Sequence, residues 1–203
     1  FDGRQLRCQG DVDIDSLMFK GFQFTELMGP FWIDDTQLLV GVWADRARRA
    51  HPERRMTCKM FGGTVLSDGW VQFVPQPRYN FEASLAGADL ARLTKEAIPG
   101  RQPLSGTILA SVELRGTGSS LNDLGGRGAI QLREADIYQL PLMVSLLKLL
   151  SVRQPDTTAF TRSDISFYIQ GQHIYVDRID FSGDAISLLG KGEVGFDKQV
   201  RLT

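Results

Sequence analysis

The sequence is short of the residues that carry chemistry. Histidine occurs only at His51 and His173, and cysteine only at Cys8 and Cys58. Neither histidine has a ligand-type partner at the close spacing of a zinc site. Two cysteines allow one bridge or two free thiols, so they make no disulfide framework and leave the redox compartment open. No G-x-S-x-G elbow is present. The stretch Gly190 to Gly195 matches G-x-G-x-x-G, but Phe196-Asp197-Lys198-Gln199-Val200 follows it and reads as hairpin, not helix. A dinucleotide fingerprint therefore lacks its context. Asp11, Asp13 and Asp15 share one strand face, yet the glycine and glutamate of an EF-hand loop are missing. They read as a solvated face. No catalytic residue, metal or cofactor is expected, and the chain is not read as an enzyme.

Long apolar runs are missing too. The longest, Leu140 to Leu150, is broken by Ser145 and Lys148. As a helix it spans roughly 16 Å at 1.5 Å per residue. A bilayer core is about 30 Å thick, so this run is too short to cross. An excess of one charge is absent: 23 basic residues face 24 acidic ones, for a net charge of −1. That excludes a basic nucleic-acid binder and an acidic disordered tail.

What remains is glycine-punctuated strand. The 21 glycines recur at strand edges, as in Gly62-Gly63, Gly125-Gly126 and Gly190 to Gly195, and form no Gly/Ser linker. Clean alternation runs through Tyr79 to Leu85, Ile108 to Leu114 and Ile165 to Ile169. Phe19, Phe22 and Phe24 read as one strand with a kink or bulge at Gly21, and Gly29-Pro30 reads as a turn before Phe31-Trp32-Ile33. Asp89 caps a short helix over about 89–98, which Pro99-Gly100 ends. Pro141 suits the first turn of a second helix, about 141–151. The expected fold is therefore α+β and β-dominated: a twisted antiparallel sheet with two short helices. The expectation is one domain over 1–203, and a fragment of a longer protein, because Phe1 is no initiator and Val200 to Leu202 stops inside an alternating pattern.

Two stretches invite a functional reading. Residues 44–55 gather Arg46, Arg48, Arg49, Arg54 and Arg55. They read either as a solvated loop or short helix, or as a site for anionic headgroups or phosphates. The second helix is apolar at nearly every position. Its Leu142, Met143, Leu146, Leu147 and Leu150 are core, or they line a groove with the sheet. A third pattern is an internal echo, Gly126-Arg127-Gly128-Ala129-Ile130 against Gly190-Lys191-Gly192-Glu193-Val194.

The order of several short motifs resembles the C-terminal region of AsmA-like proteins, relatives of TamB and of bridge-like lipid-transfer proteins. The motifs are Phe61-Gly62-Gly63, then Ser84 to Leu93, then Leu104 to Ile108. Leu114 to Gly118, Gly126 to Ala135 and Leu140-Pro141 follow. Phe160 to Ile169, Ile174 and Ile186 to Gly192 close the series. The resemblance implies a long sheet curled into a groove with acyl chains on its concave face. It implies a periplasmic setting, an inner-membrane anchor and phospholipid as the partner. It supplies no catalytic residues.

On this reading the groove candidates are the five helical residues together with Ile108, Val112, Phe167, Ile169, Ile174, Val176, Ile186 and Leu188. Each CH₂ exposed to water costs about 0.8 kcal/mol, so a two-chain lipid needs shielding worth on the order of 20 kcal/mol. A rival reading is an assembly module that binds outer-membrane proteins through open sheet edges.

Overall fold

A computed structural model describes residues 6–19, 21–97, 104–135, 162–182, 187–196 and 200–202. The fold is α+β and β-dominated, as the alternation implies. The strands are β1 (Arg7–Phe19), β2 (Phe22–Asp34), β3 (Gln37–Val40), β4 (Met56–Met60), β5 (Gly63–Gln72) and β6 (Arg78–Asp89). They continue as β7 (Thr107–Thr117), β8 (Gly125–Arg133), β9 (Arg162–Gln170), β10 (His173–Ser182), β11 (Ser187–Gly195) and β12 (Val200–Leu202). Helix α1 is Val42–Arg48 and α2 is Leu90–Ala97.

All twelve strands join one sheet, and nearly every neighbour in space is the next in sequence. Local, sequential pairing of this kind is the simplest antiparallel connection. The exception is a shared slot. β3 and β4 both lie between β2 and β5, end to end. Val40 pairs Gly69 and Met56 pairs Ser67, so only Asp68 separates them on the β5 side. Residues 41–55 are thus an excursion from a single strand position, and α1 forms within it.

The excursion explains Gly29-Pro30. These residues are not a turn; they lie inside β2. Pro30 accepts the Gly41 N–H through its carbonyl oxygen. That side of Pro30 faces the gap between β3 and β4, where no strand asks for the missing N–H. The kink expected at Gly21 is a full hairpin turn, since Phe19 pairs Phe22 and Gly21 adopts φ +88°. That backbone region is open to glycine at little cost.

Helix α2 starts where the sequence places it, one residue after Asp89. The Asp89 Oδ1 accepts the Ala91 N–H at 2.7 Å, satisfying one donor of the first turn. Leu90 is buried, and Leu93 packs against the same cluster as Phe61, Ala88, Leu104, Ile108 and Ala135. The second expected helix, about 141–151, lies outside the described residues. The second described helix, α1, falls at the edge of the arginine-rich stretch instead. Cys8 is exposed and Cys58 buried, and both are free thiols. Burial pushes the Cys58 thiol up from its ordinary value. Gly190 to Gly195 run inside β11, so the G-x-G-x-x-G match is strand. Among the described residues no helix is long and apolar enough to cross a membrane.

Candidate functional site

Residues directly opposite each other in an antiparallel sheet share a face, and alternate residues along a strand do too. The register therefore assigns each paired position of β6 to β11 to one of two faces. One row crosses the sheet as Ala83, Val112, Gly128, Phe167, Val176 and Gly192. Two residues along lie Phe81, Leu114, Gly126, Ile169, Ile174 and Val194. On the other side lie Leu85, Ala110, Ile130, Ile165, Ile179 and Gly190. The last row is Ala88, Ile108, Leu132, Ser163, Phe181 and Leu188. Among these 24 positions only Ser163 has a polar side chain. The sequence candidates Ile108, Val112, Phe167, Ile169, Ile174, Val176 and Leu188 all take positions on this face. Leu142, Met143, Leu146, Leu147, Leu150 and Ile186 lie outside the described residues.

The apolar face is not uniformly buried. At the α2 end Ile108 is 4% exposed, sealed into the core cluster. Val112, Phe167, Ile174 and Val176 are only half-buried. Glycine keeps this surface low. The Phe167 ring lies over Gly128 so closely that a Cβ there would sit 2.4 Å from the ring's Cζ. Phe81 covers Gly69 in the same way, at 2.2 Å. A ring over a cross-strand glycine fills the missing side chain and pins the register. Such a surface has no titratable group and cannot move a proton. What it can do is exclude water from hydrocarbon.

The opposite face is charged. Arg127 meets Glu113 at 2.8 Å, and Arg162 meets Asp164 and Arg178 meets Asp180 at 2.7 Å each. His173 meets Glu193 at 2.7 Å, and Tyr168 stacks on Tyr175 at 4.9 Å. The Arg178 hydrogen bond, ahead of that of Ser182, holds the Asp180 carboxyl below its ordinary value. A shallow trough of about 620 Å³ crosses this face over Ser84, Ser111, Ala129 and Ser166.

The arginine-rich excursion sits on the charged side, where four of its arginines meet carboxylates of this chain. Asp68, on the face of Glu82 and Glu113, ties both ends of the excursion. Its Oδ1 accepts the Val42 N–H at 2.9 Å, and its Oδ2 accepts from Arg55. Asp45, with a fully buried side chain, accepts the Arg54 N–H at 3.0 Å and the Arg54 Nε–H at 2.9 Å. Arg54 also reaches Asp11 on β1 at 2.8 Å, and Arg48 donates to the Gly10 carbonyl at 3.1 Å. Arg46 pairs with Glu53 at 3.0 Å. Arg49 ends α1 in the left-handed conformation. Arg46, Arg48, Arg54 and Arg55 thus lie on the opposite face of the sheet from the described groove candidates.

Hydrogen bonding from Arg54 outweighs desolvation and holds the Asp45 carboxyl below its ordinary value. The Arg54 backbone and guanidinium hydrogen bonds, with the Arg48 guanidinium 3.6 Å away, satisfy the buried carboxylate and outweigh the cost of removing it from water.

Several members of the apolar face were absent from the sequence candidates: Ala110, Leu114, Ile130, Leu132, Ile165 and Ile179. Alternation marks Ala110, Leu114 and Ile165 as one-sided, but only the register shows that the strands present the same side together. No family model matches the chain, and no match appears among the curated proteins or the solved structures.

Proposed function

We propose that the apolar face of β6 to β11 holds the acyl chains of phospholipid, as a section of a hydrophobic groove. One observation carries this reading: 23 of 24 register positions on one face are apolar or glycine, while the reverse face is ion-paired. The middle of that face is half-exposed, unlike a closed core. Its four rows run about 20 Å along the strands, at roughly 3.4 Å per residue. That matches an extended acyl chain. The resemblance to AsmA-like proteins supports the same role and adds its setting: an inner-membrane-anchored protein moving phospholipid across the periplasm towards the outer membrane. No step of this role makes or breaks a bond.

The rival reading is an assembly module that pairs a partner strand with an open sheet edge. β1 supports it, since all thirteen of its residues lie in a strand that, among the described residues, pairs only with β2. Organic extraction and mass spectrometry of the purified protein, beside a soluble control protein, separate the two. Stoichiometric phospholipid is the expected result. Lipid no higher than in the control would contradict the groove and favour edge pairing.

A further inference from the structure

The tip of the β1–β2 hairpin is apolar, exposed and free of acid. Leu17 is 43% exposed, Met18 63% and Phe19 60%. Alternation puts Leu17 and Phe19 on one face of the hairpin and Met18 on the other. Between Ser16 and Thr25 there is no carboxylate, and Lys20 is the one charged residue. Asp15 and Glu26 stand at the first level behind the tip, between the Ile14–Leu27 and Ser16–Thr25 pairs. Phe22 fastens the tip to the body, its ring meeting that of Phe61 edge-on at 5.8 Å. Phe61 belongs to the buried cluster under α2, so the tip stands at the end of the sheet where that helix lies.

A protein partner that docks on a hairpin covers one face of it. A bilayer surrounds an inserted tip and rewards apolar side chains on both faces. A lone positive charge and the lack of acid suit an anionic headgroup layer. Ser16 to Phe19 spans roughly 10 Å of strand. An interfacial element buries its apolar part about 5–10 Å deep. The carboxylates of Asp15 and Glu26 then mark where insertion stops.

We propose that this tip docks the domain on an anionic lipid surface, with Leu17, Met18 and Phe19 in the headgroup and upper acyl region. The proposal rests on the tip alone and not on the acyl-chain reading of the sheet. The test is flotation with vesicles of phosphatidylcholine plus phosphatidylglycerol, and of phosphatidylcholine alone. The protein floats with the anionic vesicles, and Met18→Ser with Phe19→Ser lowers binding about tenfold or more. In Phe19→Trp, the emission of the new indole shifts to the blue on binding and is quenched by brominated acyl chains. The paired serine variant keeps any lipid that co-purifies with the sheet, so failure here is distinct from failure of the groove. Unchanged flotation of the paired variant, or an unshifted Phe19→Trp spectrum, overturns the proposal. So does loss of a dimer in sedimentation with vesicle binding intact, which would assign the tip to a second copy of this chain.

Discussion

Phospholipid that co-purifies with the protein should fall at least tenfold in Phe167→Asp and in Val176→Asp, with far-UV circular dichroism unchanged. Phe167 and Val176 lie opposite each other in the middle of the apolar face. Both are half-buried, so a carboxylate there can still reach water in the lipid-free protein. An acyl chain laid over it would cut off that water. Burying an unpaired polar group costs roughly 2–7 kcal/mol, and more if it stays charged. Tenfold corresponds to about 1.4 kcal/mol, so the expected loss is well within that range. Leu189→Asp is the control. Leu189 is 78% exposed on the charged face and should tolerate aspartate without loss of lipid. Ile108 is a poorer probe, because at 4% exposure an aspartate would break the cluster under α2. Lipid retained in both Phe167→Asp and Val176→Asp would remove these residues from the binding surface.

Asp45→Ala should destabilise the fold by about 2–3 kcal/mol, measured by urea unfolding. The buried carboxylate accepts the Arg54 backbone N–H and guanidinium and lies 3.6 Å from Arg48. Hydrogen bonds to a charged group contribute about 1.5–3 kcal/mol each way they are lost, and breaking a buried pair costs up to 5. The surviving Arg54 side chain is 46% exposed and can be hydrated, which keeps the loss towards the lower figures. For a chain of this size the melting temperature should fall by roughly 4–12 °C.

The contribution is pH-dependent, with a definite sign. The folded carboxyl lies below its unfolded value, which is about 3.9. The stabilisation is therefore complete at neutral pH, begins to fade as pH drops past the unfolded value, and is gone below the folded one. The gap between Asp45→Ala and the parent protein should narrow on acidification over that window. A gap that widens, or stays level to acid pH, would mean that the ion pair is not its source.

The strands were readable because period-two alternation is a local signal. Tyr79 to Leu85, Ile108 to Leu114 and Ile165 to Ile169 became β6, β7 and β9 as expected. The α2 cap was readable for the same reason, with Asp89 adjacent to the helix it starts. Failures came where distant residues decide. Gly29-Pro30 looks like a turn by its own chemistry, but β1 pairing and the gap beside β2 hold it extended. The strand slot split between β3 and β4 depends on Asp68, which is 26 residues from Val42 and 13 from Arg55. The carboxylate partners of the arginine cluster were not legible either, since Asp11 lies 43 residues from Arg54 and Asp68 13 residues from Arg55. The internal echo of Gly126-Arg127-Gly128 and Gly190-Lys191-Gly192 lies within strands in both copies. Their glycines share the apolar face, and Gly128 and Gly192 fall in one row of it. Which apolar positions join into one surface was a question of register, and register is set by all the strands together.

The most direct test is a phospholipid with a photoactivatable group at the acyl terminus, followed by mass mapping of the adducts. Adducts are expected on Val112, Phe167, Ile174 and Val176. Adducts confined to Ser111, Tyr168 and other residues of the charged face, or none above a soluble control protein, would contradict the acyl-chain groove.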